Sequence, residues 1–89
     1  YRDQGIPVGV QLAHAGRKAS AAVPWEGAQP LPAGDPRAWT SVAPSALPFN
    51  DGWQTPAALD EAGIAAVIDA FSAAAARAVR AGFDFVEVH

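Results

Sequence analysis

The sequence predicts an α/β fold built on a parallel strand–helix–strand crossover, and three observations point to it. Ile6 to Ala13 is a short, nearly continuous apolar run rich in β-branched residues. Ile64, Val67, Ile68, Phe71, Ala74, Ala75, Ala78 and Val79 recur at spacings of three and four, the period of a helix with one apolar stripe. Phe83 to His89 alternates, so that Phe85, Glu87 and His89 share one face and Val86 and Val88 the other. Two strands joined through a helix pair in parallel, with the helix covering one face.

The first strand is expected over residues 6–13. Pro7 stands at its beginning, where a missing N–H is tolerated. Its near-continuous apolarity suits a parallel sheet covered on both faces better than a half-exposed antiparallel one. Gly16 then breaks the pattern.

Residues 15–58 are expected to form one long loop. Seven of the eight prolines fall between Ala15 and Pro56, with neither a two-residue nor a 3.6-residue period. Loops beyond about 12 to 15 residues tend to be functional or disordered. Trp25, Trp39, Trp53, Phe49, Leu31 and Leu47 are too many large apolar groups for a solvated linker, so the loop is expected to be ordered and packed.

The helix is expected over residues 60–81. Asp60 suits the N-cap, Glu61 the positive end of the dipole, Arg77 and Arg80 the negative end, and Gly82 a left-handed C′ position. Gly63 weakens the first turn by about 1 kcal/mol relative to Ala. The second strand follows over residues 83–89.

Composition narrows the function. The chain has 89 residues, no Cys, no Met and a formal net charge of −3. Without Cys there are neither disulfides nor thiolate metal sites, and nothing hints at an oxidising compartment, which makes a cytoplasmic location the expectation. The basic residues are scattered, which argues against a nucleic-acid partner. Asp69, Ser72 and Arg77 interrupt the longest apolar region, so a soluble chain that does not enter the membrane is expected. Two parallel strands and one helix cannot close a sheet, and the chain opens on Tyr1 without Met; an internal fragment of a longer protein is the simplest reading.

Gln11 and His89 fall at the C-terminal ends of the two expected strands, the end at which parallel sheets receive ligands. Read from the residues alone, Gln11 serves equally as a buried amide bonded to a neighbouring strand, and His89 as an imidazole without a role. His14, Gly16, Arg17 and Lys18 follow the first strand immediately; their donors suit an anionic group, or simply open a solvated loop. Glu87 needs a partner if the sheet face is enclosed. No dinucleotide fingerprint, P-loop or nucleophile elbow is present. His14 and His89 carry no metal-ligand spacing, so no metal is expected.

Three stretches, Val10 to Ser20 (VQLAHAGRKAS), Ser41 to Phe49 (SVAPSALPF) and Phe71 to His89 (FSAAAARAVRAGFDFVEVH), together resemble the Old Yellow Enzyme family, most closely its bacterial NADPH dehydrogenase and ene-reductase branch. The resemblance implies a (β/α)8 TIM barrel binding FMN at its C-terminal mouth, with this chain as about strand 3, a long loop, helix 3 and strand 4. It implies that Gln11, in the family's Q-L-x-H-x-G-R motif, hydrogen-bonds the pyrimidine edge of the FMN. It implies that His89, the first histidine of the V-E-x-H-x-x-H segment, holds the carbonyl oxygen of the substrate.

The implied reaction takes a hydride from NADPH (or NADH) through the flavin to the activated C=C of an enone or enal, in a parent that is a homo-oligomer. The second histidine or asparagine, the tyrosine proton donor and the strands that hold the FMN phosphate lie outside the 89 residues, so the chain alone is expected to be inactive. The resemblance assigns no role to His14, Arg17 or Lys18. The Thr-x-x-Glu box frequent at the family's helix start is replaced here by Asp60 followed by Gly63. A 2,4-dienoyl-CoA reductase-like flavoprotein with an appended iron–sulfur cluster, and a non-enzymatic barrel remnant, are the alternative readings.

Overall fold

The computed structural model describes Tyr1 and residues 3–89, and of Arg2 the backbone alone. The chain divides into two compact units, Tyr1–His14 with Ala62–His89, and Ala15–Glu61.

The first unit holds strand β1 (Gly9–Leu12), helix α1 (Glu61–Ala81, whose first residue belongs to the other unit) and strand β4 (Phe85–Val88). β1 and β4 pair in parallel with Gly9↔Phe85, Val10↔Val86, Gln11↔Glu87 and Leu12↔Val88 in register. The ladder extends past both strands. Asp84 N donates to Val8 O at 2.8 Å, His89 N to Leu12 O at 2.7 Å and His14 N to His89 O at 3.0 Å.

β1 is shorter than the eight residues expected over 6–13. Pro7 has no N–H, and the Val8 amide is taken by the Asp84 side chain at 2.8 Å instead of by a backbone carbonyl. β4 begins two residues later than residue 83 because Gly82 and Phe83 close the helix. Gly82 N donates to Val79 O at 2.9 Å and Phe83 N to Ala78 O at 3.1 Å, the paired bonds of a Schellman end. Gly82 takes φ of 91°, the left-handed region that a side chain would strain.

The helix carries the expected stripe, but its two flanks differ. Val67, Phe71, Ala74 and Ala75 are half-buried and Ala78 is buried, whereas Ile64, Ile68 and Val79 are exposed. Two strands lie about 4.8 Å apart, and a helix is about 10 Å across. Such a ribbon covers one flank of the stripe and leaves the other bare. By length and composition alone α1 would also cross a membrane; Asp69 near its middle opposes that, since a carboxylate at the bilayer centre is costly.

The second unit, Ala15–Glu61, replaces the single long loop expected over 15–58 with short elements tied by polar groups. Gly16–Lys18 and Pro24–Glu26 are 3-10 turns. The two-residue strands β2 (Val42–Ala43) and β3 (Ala57–Ala58) pair in parallel, and Ala21 bridges Pro30 antiparallel. The centre is small: Ser41, Ala43, Ser20 and Pro56 are buried.

With so little apolar volume, hydrogen bonds do the ordering. Gln54 Oε1 accepts from Ser41 N at 2.6 Å and Ser41 Oγ at 2.8 Å, while its Nε2 donates to Trp39 O at 3.1 Å. Ser20 Oγ accepts from Trp39 N at 3.1 Å, and Ser20 O from Leu31 N at 2.9 Å. Ser20 is buried with φ of 59°, a conformation costly without glycine and retained where surrounding bonds over-determine it.

Candidate functional site

The register decides which side chains stand together. Partners in a parallel ladder point to the same side of the sheet, and successive residues to opposite sides. Gln11 and Glu87 are partners, so His89, two residues after Glu87, lies on the face of Gln11. On the opposite side Val10, Leu12 and Val86 are half-buried and Val88, at the strand end, is exposed, whereas Gln11, Glu87 and His89 are all exposed. The helix therefore serves the valine side and leaves the polar side open. Ala13 shares that open face, with no side chain beyond its methyl to crowd it.

Backbone bonds fix His89 although it ends the chain. Its N–H donates to Leu12 O and its carbonyl accepts from His14 N. The imidazole thus projects from a backbone held at both sides, next to the strand end that carries Gln11. His14 enters this arrangement through its amide, and Arg17 and Lys18 lie in the second unit on the turn Gly16–Lys18.

Two further positions shape this face, and periodicity alone gives neither. The Phe85 ring lies where a Cβ on Gly9 would project, closing the face at the N-terminal end of the strands. Asp84 fastens the ladder there by accepting from Val8 N and donating its own amide to Val8 O. The alternation Phe85, Glu87, His89 hinted at a common face; the register with Gly9 comes from pairing across 76 residues.

A groove of about 300 Å³ lies between the end of β1 and α1, lined by Gln11, Leu12, Ala13 and His14 on one side and by Val67, Phe71 and Ala74 of the helix on the other. Its walls are mostly apolar, so it offers packing space more than chemistry. Among the described residues, no three of His, Asp and Glu gather as a metal ion would require.

The family model of the NADH:flavin oxidoreductase / NADH oxidase family matches residues 2–89. The chain belongs to that family. This agrees with the recognition drawn from the three motifs. An NADPH dehydrogenase of Geobacillus thermodenitrificans is 40% identical over 88 residues, covering 99% of this chain and 21% of that protein. An NADH:flavin oxidoreductase of Gibberella zeae is 42% identical, covering 97% of this chain and 22% of that protein. The NADPH dehydrogenase of Bacillus subtilis is 38% identical, covering 99% and 21%. The chain spans about a fifth of the length of these curated relatives.

The open face suits the flavin that the family's name specifies. The Gln11 amide combines a donor and an acceptor on one planar group, the complement of the alternating carbonyl and N–H edge of an isoalloxazine pyrimidine ring. It is exposed at the C-terminal end of a parallel strand, where α/β sheets take their ligands.

Proposed function

We propose that the protein containing this chain is a cytoplasmic, FMN-dependent (β/α)8-barrel oxidoreductase that moves a hydride from NADPH to the C=C of an α,β-unsaturated carbonyl compound. The observation that carries the reading is the ladder register, which sets Gln11 and His89 on one open face at the C-terminal ends of adjacent parallel strands. Family membership and relatives described as NADPH dehydrogenase and NADH:flavin oxidoreductase support the flavin and the nicotinamide donor.

Bound FMN supplies the chemistry of accepting a hydride from the dinucleotide and passing it to the activated alkene. The protein's share is binding, orientation and polarisation. Gln11 would hold the pyrimidine edge of the flavin through the donor and acceptor of its amide. His89 donates an imidazole N–H to the substrate carbonyl oxygen, where negative charge develops as the β-carbon is reduced. A donor already fixed at that oxygen stabilises the transition state more than the ground state. The backbone bonds that hold His89 fix its main chain at the strand end that carries Gln11, the point from which the imidazole reaches the substrate. Two strands provide a fraction of such a barrel, and the chain by itself is expected to show no turnover.

The test is FMN affinity in the full-length protein. Gln11→Ala removes a donor and an acceptor and is expected to weaken FMN binding by about tenfold, measured by fluorescence titration of the apoprotein. Unchanged affinity would overturn the assignment of Gln11.

A further inference from the structure

The loop unit carries three cations, Arg17, Lys18 and Arg37, and holds them in two different ways. Arg37 is neutralised within the unit. Its Nε and Nη2 donate to Asp35 at 3.1 and 3.0 Å, and its Nη1 to Glu26 at 2.8 Å. Arg17 and Lys18, adjacent on the turn Gly16–Lys18, have no carboxylate within ion-pair distance among the described residues.

They are steered instead by uncharged groups. Arg17 Nη2 donates to Ser45 Oγ at 3.3 Å in a part-buried setting. Lys18 Nζ stands 4.6 Å from the centre of the Phe49 ring, which is braced edge-on by Trp53 at 5.0 Å between centroids. Ser45 and Phe49 belong to one stretch of chain, so a single segment orients both cations.

Scarcity of acids does not explain the difference. The chain has nine Asp and Glu against six Lys and Arg, and Glu26, Asp35 and Asp51 all lie in the same unit. One hydroxyl uses one of the five N–H donors of Arg17, and a ring face accepts no conventional hydrogen bond from the three of Lys18. Two cations on consecutive residues are thus oriented while most of their hydrogen-bonding capacity stays unspent. Pre-orientation lowers the entropic cost of capturing a ligand. A planar guanidinium fork and an ammonium are each suited to the tetrahedral oxygens of a phosphate.

We propose that Arg17 and Lys18, positioned by Ser45 and Phe49, form a seat for a phosphate group of the dinucleotide hydride donor. The inference rests on the function proposed above, whose donor is a phosphate-bearing dinucleotide; the FMN phosphate falls, by the family resemblance, to strands outside this chain.

Binding measured on the full-length protein tests it. Titration calorimetry compares 2′,5′-ADP with adenosine on the holoenzyme for the wild type, R17Q/K18Q and R37Q. In the double variant the preference for the phosphate-bearing ligand is expected to fall about tenfold or more. R37Q, whose charge is spent on Asp35 and Glu26, is expected to keep the preference.

Each preference is a ratio taken on one preparation, so a loss of folded protein lowers both members alike and does not imitate the effect. A preference in the double variant that stays within about twofold of wild type, in an enzyme whose flavin NADPH still reduces, overturns the seat and leaves the function standing. A wild-type flavin that NADPH does not reduce overturns the function itself.

Discussion

The ring of Phe85 lies over Gly9, its register partner in the β1–β4 ladder, and fills the place of a Cβ on residue 9. Glycine is required there by the neighbour and not by its own backbone. Gly9→Ala is expected to destabilise the protein by about 1 kcal/mol, the low end of the overpacking range, because Phe85 is 56% exposed and its ring can swing aside. Phe85→Leu in the same background should restore part of the loss. A double-mutant cycle by urea unfolding is expected to show coupling above about 0.5 kcal/mol; strictly additive effects would mean that the ring does not need the space.

His89 offers a clean separation of side chain from backbone, since its amide and carbonyl stay in the ladder whatever side chain follows. His89→Ala in the full-length protein is expected to slow reoxidation of the reduced enzyme by an enone about a hundredfold, the scale of losing one oxyanion donor. Reduction by NADPH should be little changed. Stopped-flow measurement of the two half-reactions decides, and an equal loss in both would assign His89 a structural role.

Gln54 satisfies the amide and hydroxyl of buried Ser41 with one oxygen and the carbonyl of Trp39 with its nitrogen. Gln54→Ala leaves the Ser41 amide without its acceptor, at a cost of about 1 to 3 kcal/mol. All three tryptophans of the chain, Trp25, Trp39 and Trp53, lie in this unit. Tryptophan fluorescence during urea unfolding should therefore show a lowered midpoint for the loop unit, and an unmoved midpoint would show that another group takes over from Gln54.

The Arg37 guanidinium, and then the Arg37 amide, hydrogen-bond Asp35 and hold its carboxyl below the ordinary value of 3.8. A carboxylate depressed in the folded state adds stability above its unfolded pKa, and loses it as pH falls from there through the lower folded value. The loop unit is accordingly expected to weaken as pH drops below about 4, and Asp35→Asn to remove that part of the dependence. Urea midpoints by tryptophan fluorescence across this range check it; identical slopes for the two proteins would contradict it.

Elements that depend on local burial were legible in the sequence. The three-and-four spacing from Ile64 to Val79 marks α1, and the alternation after Gly82 marks the strand carrying His89, because each residue reports which side it shows to the interior. The flank with Ile68 and Val79 reads as core by the same signal yet is exposed here, since period records the surface a helix is built to bury and not the width of the sheet beneath it. The proline-rich stretch gave notice of order through its tryptophans but not of its architecture. Ser20 to Trp39, Ser41 to Gln54 and Arg17 to Ser45 are bonds between residues with no periodic relation.

The sequence by itself determined the kind of protein this is: a parallel α/β segment whose three motifs identify a flavin oxidoreductase family, with Gln11 and His89 at strand ends. Tertiary structure alone decided that Gln11 faces Glu87, that Phe85 closes over Gly9, and that Arg37 is paired while Arg17 and Lys18 are merely steered. Strand and helix periods are written into neighbouring residues, whereas register and ion pairing are choices among distant partners. Those choices are settled by which arrangement satisfies the most buried donors and acceptors at once.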